Sequence, residues 1–380
     1  MSDSAGYDKW IEVDAAAVAH NYRQVATRLQ AGVKLIAVLK ADAYGQGAVE
    51  MARLLAEGGT DFFAVTHLEE ALKLRRGGID GDILLFLPLR RREDVRVAAE
   101  QRLTVSVGST EDIEALAAAG EEELPALKVH LQVDTGLGRF GFLDQETLLT
   151  SSVRLRVQGF DLEGIYTHMA DAAGDAAYTR RQFARFMELT QALDNIGIEL
   201  KYRHCANSAA MLNYPEMQLD AVRVGTLLSG QHPVGSFSPP LDLREPFRFM
   251  SRIISLHRLP QGSYLGYYKT HRLRRDALIG VIPVGYRDGL LLEVANPPAG
   301  AVDLIKTMLR PLLYRLGRGR FRHTVKCQGQ EWPLRGKVFM QTALIEFPPD
   351  APIRLGDEVE VPMRKVLSAA GVPHVYVNKS

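Results

Sequence analysis

One lysine, Lys40, closes the apolar run VKLIAVLK (33–40), and the small residues of ADAYGQG follow at once with Tyr44 among them. An amine at the end of a buried strand loses hydration, which lowers its pKa and makes it a candidate for Schiff-base chemistry. Other apolar runs also end on polar residues. Gln132 to Arg139 follow LKVHLQV, His168 ends LEGIYTH, His204 to Ser208 follow KYR, and Arg223 with Gly225 closes LDAVRVG. Taken singly, each has a plainer reading: Lys40 snorkels from a rim, His168 is a satisfied core histidine, Arg223 pairs with Asp220.

The elements that carry these residues turn the scatter into a pattern. Eight short β-rich runs, from VKLIAVLK through DFFAVT, DILLFL, LTVSV, LKVHLQV, LEGIYTH and KYRHCA to LDAVRVG, alternate with helical stretches such as 47–59, 109–120 and 179–197. In those stretches apolar residues recur every three or four positions. Ser109 and Thr110 offer N-caps, and Gly120 and Gly197 offer stops. Alternation of this kind predicts parallel strands, and eight units predict a closed (β/α)8 TIM barrel, whose chemistry sits at the C-terminal strand ends. All the polar residues named above stand at those ends. Asn207, Ser208 and the turn Arg223-Val-Gly225-Thr226 follow the seventh and eighth strands, where barrels bind phosphate through hydroxyls and backbone N–H groups. An amine, a phosphate site and an arginine together point to pyridoxal 5'-phosphate.

After Gly225 the texture changes. A proline-bearing linker (231–247) leads into SRIISLHRL, ALIGVIPVGY, KVFMQTALIEF and DEVEVPM, which predict a mostly antiparallel β domain. We place the barrel at 1–245 and the β domain at 246–380, with WIEV, inside residues 8–14, pairing with the latter. A basic insertion spans about 290–335; within it seven Lys/Arg from Lys306 to Lys326 meet no acid. Its plain reading is a solvated face.

Bulk properties exclude more than they identify. The chain's 380 residues suit two domains. Lys and Arg number 46 against 45 acids, so no net charge draws it to nucleic acid or a membrane. Cys205 and Cys327 form no metal or disulfide pattern. With no signal core and no apolar run of spanning length, the expected location is the cytoplasm.

The ordered set AVLKADAYGQG, VDTGLGRFGF, YTHMADA, HCANSAAML, VRVGTLLSG, GYYKT, PVGYRDG and GKVFMQ spans most of the chain and resembles the alanine racemases. The resemblance implies a pyridoxal-phosphate isomerase that interconverts L- and D-alanine, a cell-wall precursor, as a homodimer with active sites shared between subunits. It implies that Lys40 is the Schiff-base lysine and one base, and that Tyr267 from the partner subunit is the other. It implies that Tyr44, Ser208, Gly225 and Thr226 hold the phosphate, with Asn207 beside them, and that His168 packs on the ring. Arg223 meets the pyridine nitrogen, with His204 supporting it or the phenol, and Arg139 and the backbone of Met340 take the substrate carboxylate.

This chain departs from that pattern in several places. Gln132 stands where many members carry a carbamylated lysine, Phe339-Met340-Gln341 replaces Cys-Met-Asp, Tyr268 replaces a glycine, and Ala369-Ala370 stand where a phosphate-binding tyrosine is usual. These changes keep open a racemase of different or broader amino-acid specificity. A barrel-type decarboxylase and a catalytically weak cofactor-binding protein are the other readings.

Overall fold

The computed structural model describes residues 4–119, 127–233, 240–293, 304–305, 307–309, 323–368 and 371–379. Most of the basic segment, together with Gly120 and Ala369-Ala370, lies outside them. The chain divides into two compact units, one of Ala15–Pro246 with the last three residues, the other of the opening residues through Asp14 with Phe247–Val377.

The first strand, β1 (Lys9–Asp14), belongs to the second unit. The first unit holds β2 (Lys34–Val38), β3 (Phe62–Val65), β4 (Asp82–Leu85), β5 (Thr104–Val107), β6 (Lys128–Gln132), β7 (Asp161–Tyr166), β8 (Tyr202–His204) and β9 (Ala221–Val224). They form one parallel sheet in the order β8-β7-β6-β5-β4-β3-β2-β9. Its two ends meet, because the Asp220 N–H donates to the Arg203 carbonyl (3.2 Å) and the Arg223 N–H to the Ala206 carbonyl (2.9 Å). The sheet is therefore closed, as the eight alternating units predict. Ile36, Val38, Phe62, Ala64, Leu84, Tyr202 and Ala221 pack as one buried cluster, giving the strands the apolar face that drives closure.

Caps set the helix limits. The helix expected over 179–197 runs Ala176–Asn195, a turn earlier, because the Asp175 side chain accepts from the Tyr178 N–H. Gly197 then adopts a left-handed conformation (φ +74°) and stops it.

The second unit is a mostly antiparallel sheet. Its further strands are β10 (Phe247–Arg252), β11 (Ser255–Leu259), β12 (Tyr264–Leu265), β13 (His271–Arg272), β14 (Ala277–Ile282), β15 (Thr324–Cys327), β16 (Gln330–Arg335), β17 (Ala343–Phe347), β18 (Glu358–Val361) and β19 (His374–Val377). Among the described residues the main sheet runs β11-β14-β17-β16-β15-β18-β10-β1-β19. The opening strand thus enters between β10 (antiparallel) and β19 (parallel). β12 and β13 pair separately as a hairpin with Tyr267 in its turn. No described helix is long and apolar enough to cross a membrane.

Candidate active site

Lys40 follows β2 after one residue, and the four residues beyond it adopt an uncommon conformation. Ala41, Asp42, Ala43 and Tyr44 all have left-handed backbones (φ +52°, +53°, +53°, +58°), a state that costs L-residues about 1–2 kcal/mol each. Hydrogen bonds hold the segment from both sides. Glu70 accepts the Ala41 N–H (2.6 Å) with one oxygen and the Thr66 and His67 N–H groups (2.9 Å each) with the other. Asp42 accepts the Ala48 N–H (2.9 Å) and pairs with Lys73 (2.6 Å). This turn puts Tyr44 on the same cavity wall as Lys40.

That cavity has a volume of about 250 Å³ and is lined by Lys40, Tyr44, Arg139, Tyr166, His168, Asn207, Ser208, Arg223, Gly225 and Thr226, with Val38, Phe86, Ala209 and Pro233. Nine residues that sequence reasoning nominated therefore converge in one place, and His204 lies directly behind them. Burial lowers the Lys40 pKa, as do the charges of Arg139 and Arg223, with Glu70 opposing. Its amine has no hydrogen-bond partner among the described residues and is free to react. His168 is held neutral, its pKa pushed down to about 3 by burial and then by Arg223, Arg139 and Lys40.

Arg223 is almost fully enclosed and does not pair with Asp220, which instead binds Arg203 (2.8 Å). Its Nη1 donates to His204 Nδ1 and to the His204 carbonyl (2.8 Å each). Its Nη2 donates to the Thr167 carbonyl (2.6 Å) and, at longer range, reaches the Cys205 carbonyl (3.4 Å) and His168 Nδ1 (3.5 Å). A guanidinium has five N–H groups. Four are spent on the barrel wall, leaving Nε–H for a ligand in the cavity. Burial pushes the Arg223 pKa down to about 10, so it stays charged at neutral pH.

Gly225 leaves room for Tyr44. A Cβ added there would lie 2.8 Å from Tyr44 Cε2 and Cζ and closer still to the hydroxyl. Burial pushes the Tyr44 pKa up to about 12, so the phenol is a neutral donor. Asn207 caps the short helix Ser208–Asn213, its side-chain oxygen accepting the Ala209 (3.1 Å) and Ala210 (3.0 Å) N–H groups. That amide oxygen is spent on the fold, while the Ser208 hydroxyl is not. A phosphate-bearing ring ligand fits these donors: Tyr44 and Ser208 hydroxyls, backbone at Gly225 and Thr226, a neutral imidazole face and one unpaired arginine N–H.

Gln132 accepts from the Tyr166 hydroxyl (3.0 Å), which also shares a hydrogen bond with Ser106 (2.7 Å). It makes no hydrogen bond to Arg139. Both residues line a second cavity of about 220 Å³ with Arg90, Ser106 and Asp112. The Asp134 carboxylate gathers the N–H groups of Gly136, Leu137, Gly138 and Arg139 (2.7–3.0 Å), and so folds the loop that presents Arg139.

Tyr267 and Met340 lie in the β unit. Tyr267 is 63% exposed and stacks edge-on against Phe339 (5.0 Å between centroids). The Met340 carbonyl accepts from the Arg287 N–H (3.0 Å), while its own N–H has no partner among the described residues. Neither lines the barrel cavity described above.

Sequence reasoning missed Tyr166, His130 and Glu163. Tyr166 stacks on His204 (5.0 Å, 13°) beneath Arg223. His130 and Glu163 stand behind that pair. A glycine inside an apolar strand run, as in LEGIY, was the available signal, since it marks a bulge or a close approach. No cluster of potential metal ligands occurs among the described residues.

Two family models match. The alanine racemase N-terminal domain covers residues 13–233, and the C-terminal domain covers 247–372. An alanine racemase of Caldanaerobacter subterraneus subsp. tengcongensis is 33% identical over 356 residues, 92% of this chain and 84% of that one. The crystal structure of alanine racemase from Bacillus anthracis with bound L-Ala-P superposes with a TM-score of 0.82 at 26% identity, covering 98% of this chain and 95% of that one. A histidine racemase from Leuconostoc mesenteroides subsp. sake gives 0.82 at 25%, covering 98% and 99%. On fold, matched domains and identity together, the chain belongs to the alanine racemase family of pyridoxal-phosphate-dependent isomerases.

Proposed function

We propose that this protein binds pyridoxal phosphate in the barrel cavity and racemises alanine, or a closely related small amino acid, with two bases. One observation carries this reading: Lys40, Tyr44, His168, Ser208, Arg223, Gly225 and Arg139 surround a single cavity that, among the described residues, has no carboxylate in its lining. When bound, pyridoxal phosphate supplies an electron-accepting ring that stabilises negative charge on the substrate carbon next to the amino group. The rest falls to the protein's own side chains.

Lys40, its pKa lowered by burial and by Arg139 and Arg223, would be the residue that holds the cofactor as a Schiff base, and the one that takes or returns the proton on one face. Tyr44 and Ser208 donate to phosphate, and His168 offers an uncharged face to the ring. Arg223 would face the ring nitrogen with its Nε–H and, as a guanidinium, keep its proton, which would leave that nitrogen an acceptor. Arg139 binds the substrate carboxylate through a planar guanidinium suited to two parallel hydrogen bonds. Inversion needs a proton removed on one face and returned on the other, and Tyr267 from the second subunit of a homodimer serves that opposite face.

The absence of a lining carboxylate separates this reading from a decarboxylase, in which an acid would face the ring nitrogen. Broader specificity is the second reading. It is favoured by the neutral Gln132 beside Arg139 and by the likeness to a histidine racemase.

Incubation with L-alanine in deuterated water should yield Cα-deuterated D-alanine without release of CO2, and a chiral assay across an amino-acid panel sets the specificity. Borohydride trapping should place a pyridoxyl mass on the peptide carrying Lys40. A label elsewhere, or none, would overturn the cofactor assignment.

A further inference from the structure

A buried chain of polar groups runs from the cavity into the barrel. Arg223 Nη1 donates to His204 Nδ1 (2.8 Å), and His204 Nε2 lies 2.9 Å from His130 Nδ1. His130 Nε2 in turn lies 3.5 Å from Glu163 Oε2. Both imidazoles are fully buried and Glu163 is 6% exposed. The other Glu163 oxygen meets Lys128 (3.2 Å) and Lys201 (3.4 Å). We propose that Glu163 is a positioning residue for Arg223, acting by fixing the tautomers of His130 and His204 along this chain.

The polarity follows from valence. A guanidinium donates and never accepts, so His204 Nδ1 must be the unprotonated nitrogen. Neutral His204 then carries its proton on Nε2 and donates to His130 Nδ1. His130 accordingly carries its proton on Nε2, pointing at Glu163. Burial pushes both histidines below the usual imidazole range, which keeps them in these neutral forms.

His130 Nε2 and Glu163 Oε2 are shut off from water and neither makes a full hydrogen bond, so their 3.5 Å approach is the contact through which each can be answered. Without the carboxylate, the His130 N–H is orphaned. The reversed tautomer pair relieves it, but turns a His204 N–H against Arg223. A buried carboxylate that selects a histidine tautomer is an established way to hold an active arginine or base in place.

Two backbone features serve this contact. The pairing of β6 with β7 shifts register between Val129 and His130, so that Val129 faces Leu162 and His130 faces Gly164. Glu163 is the extra residue, and a bulge of this kind re-aims its side chain. Next to it, Gly164 makes room for the ring, since an added Cβ would lie 2.8–2.9 Å from three His130 ring atoms.

The consequence for the cofactor rests on the function proposed above, but the relay itself is testable in the apoprotein. In histidine-¹⁵N-labelled apoprotein, both residues should show an unprotonated Nδ1 and a protonated Nε2. Glu163→Leu should change that pattern at His130 and His204. In the loaded enzyme it should shift the cofactor absorption and lower kcat roughly tenfold, with KM little changed. Glu163→Gln keeps an acceptor oxygen and should restore both signatures.

If Glu163→Leu does not fold, Gly164→Ala displaces the His130 ring and should perturb the same nitrogens. A protonated Nδ1 on His204 in the wild type would overturn the proposal. So would an unchanged nitrogen pattern in a folded Glu163→Leu or Gly164→Ala protein, whatever the loss of Tm. Borohydride trapping separates the two readings: tautomers as stated with no label on Lys40 would defeat the cofactor and leave the relay.

Discussion

Replacing Gly225 by alanine puts a methyl where Tyr44 already stands. The Cβ would lie 2.8 Å from two carbons of the phenol ring, against about 3.5–4.0 Å for relaxed carbon contacts, so the ring has to retreat by about 1 Å. Tyr44 has little freedom to do so. It ends the left-handed segment that Glu70 and Asp42 clamp. Gly225 itself is not among the residues with positive φ, so alanine meets no backbone strain and the cost is steric.

Overpacking of this kind costs about 1–3 kcal/mol. If Tyr44 donates to the phosphate as proposed, the same penalty should raise the Kd for pyridoxal phosphate roughly five- to hundredfold. Titrating apoprotein with cofactor by absorbance reads the effect, and a melting curve reads the stability. Tyr44→Ala removes the atoms that clash, so adding Gly225→Ala in that background should change Kd by less than about 0.5 kcal/mol. An undiminished penalty in the double variant would refute the reasoning, because the glycine would then be needed for something other than Tyr44.

Glu70→Ala orphans the N–H groups of Ala41, Thr66 and His67 at once; it should cost about 2–4 kcal/mol in a urea titration and speed cofactor loss, with Glu70→Gln milder. Arg139 is one of the charges that lower the Lys40 pKa. Arg139→Ala should therefore move the midpoint for reaction of Lys40 with pyridoxal phosphate to higher pH, read from initial rates across a pH series. Burial raises the Glu163 pKa, but the His130 hydrogen bond and Lys128 outweigh it and hold it at about 2. A depressed carboxyl contributes stability that is fully present above its unfolded pKa of about 4.5 and drains away as pH falls toward about 2. The wild type should then lose more stability than Glu163→Gln across that window in urea titrations.

The barrel was legible because its signals are local. Each strand is a short β-rich run, helical stretches such as 47–59 and 179–197 repeat every three or four residues, and Lys40, His168 and Arg223 stand at strand ends where such a fold gathers its chemistry. What escaped the sequence depends on partners far along the chain. Nothing in ADAY announces four left-handed residues, since alanine and tyrosine disfavour that state. Its support comes from Glu70, which reads locally as the third residue of an ordinary helix. The relay escaped for a similar reason. In strict alternation the neighbours Glu163 and Gly164 face opposite ways, and only the extra residue in β7 lets both attend to the His130 ring. Asp220 illustrates the opposite error, for the nearest acid in sequence is not the partner of Arg223.

The charge of the cavity links these parts. Lys40, Arg139 and Arg223 face it and, among the described residues, no carboxylate lines it, so the cavity wall is biased toward positive charge and suits an anionic ligand. On the function proposed above, a phosphate and a substrate carboxylate would supply that match. The same field explains why the nearby histidines must be neutral, since a charged imidazole at His168 or His204 would add a further cation to a low-dielectric space. It also explains where the balancing acid sits. A carboxylate beside Arg223 would compete for the Nε–H that the ligand needs. Glu163, two imidazoles away, faces the far end of that chain at 3.5 Å from His130 Nε2 while its charge is answered locally by Lys128 and Lys201. The barrel thus holds its arginine in place through neutral rings and keeps the cation itself available to the cavity.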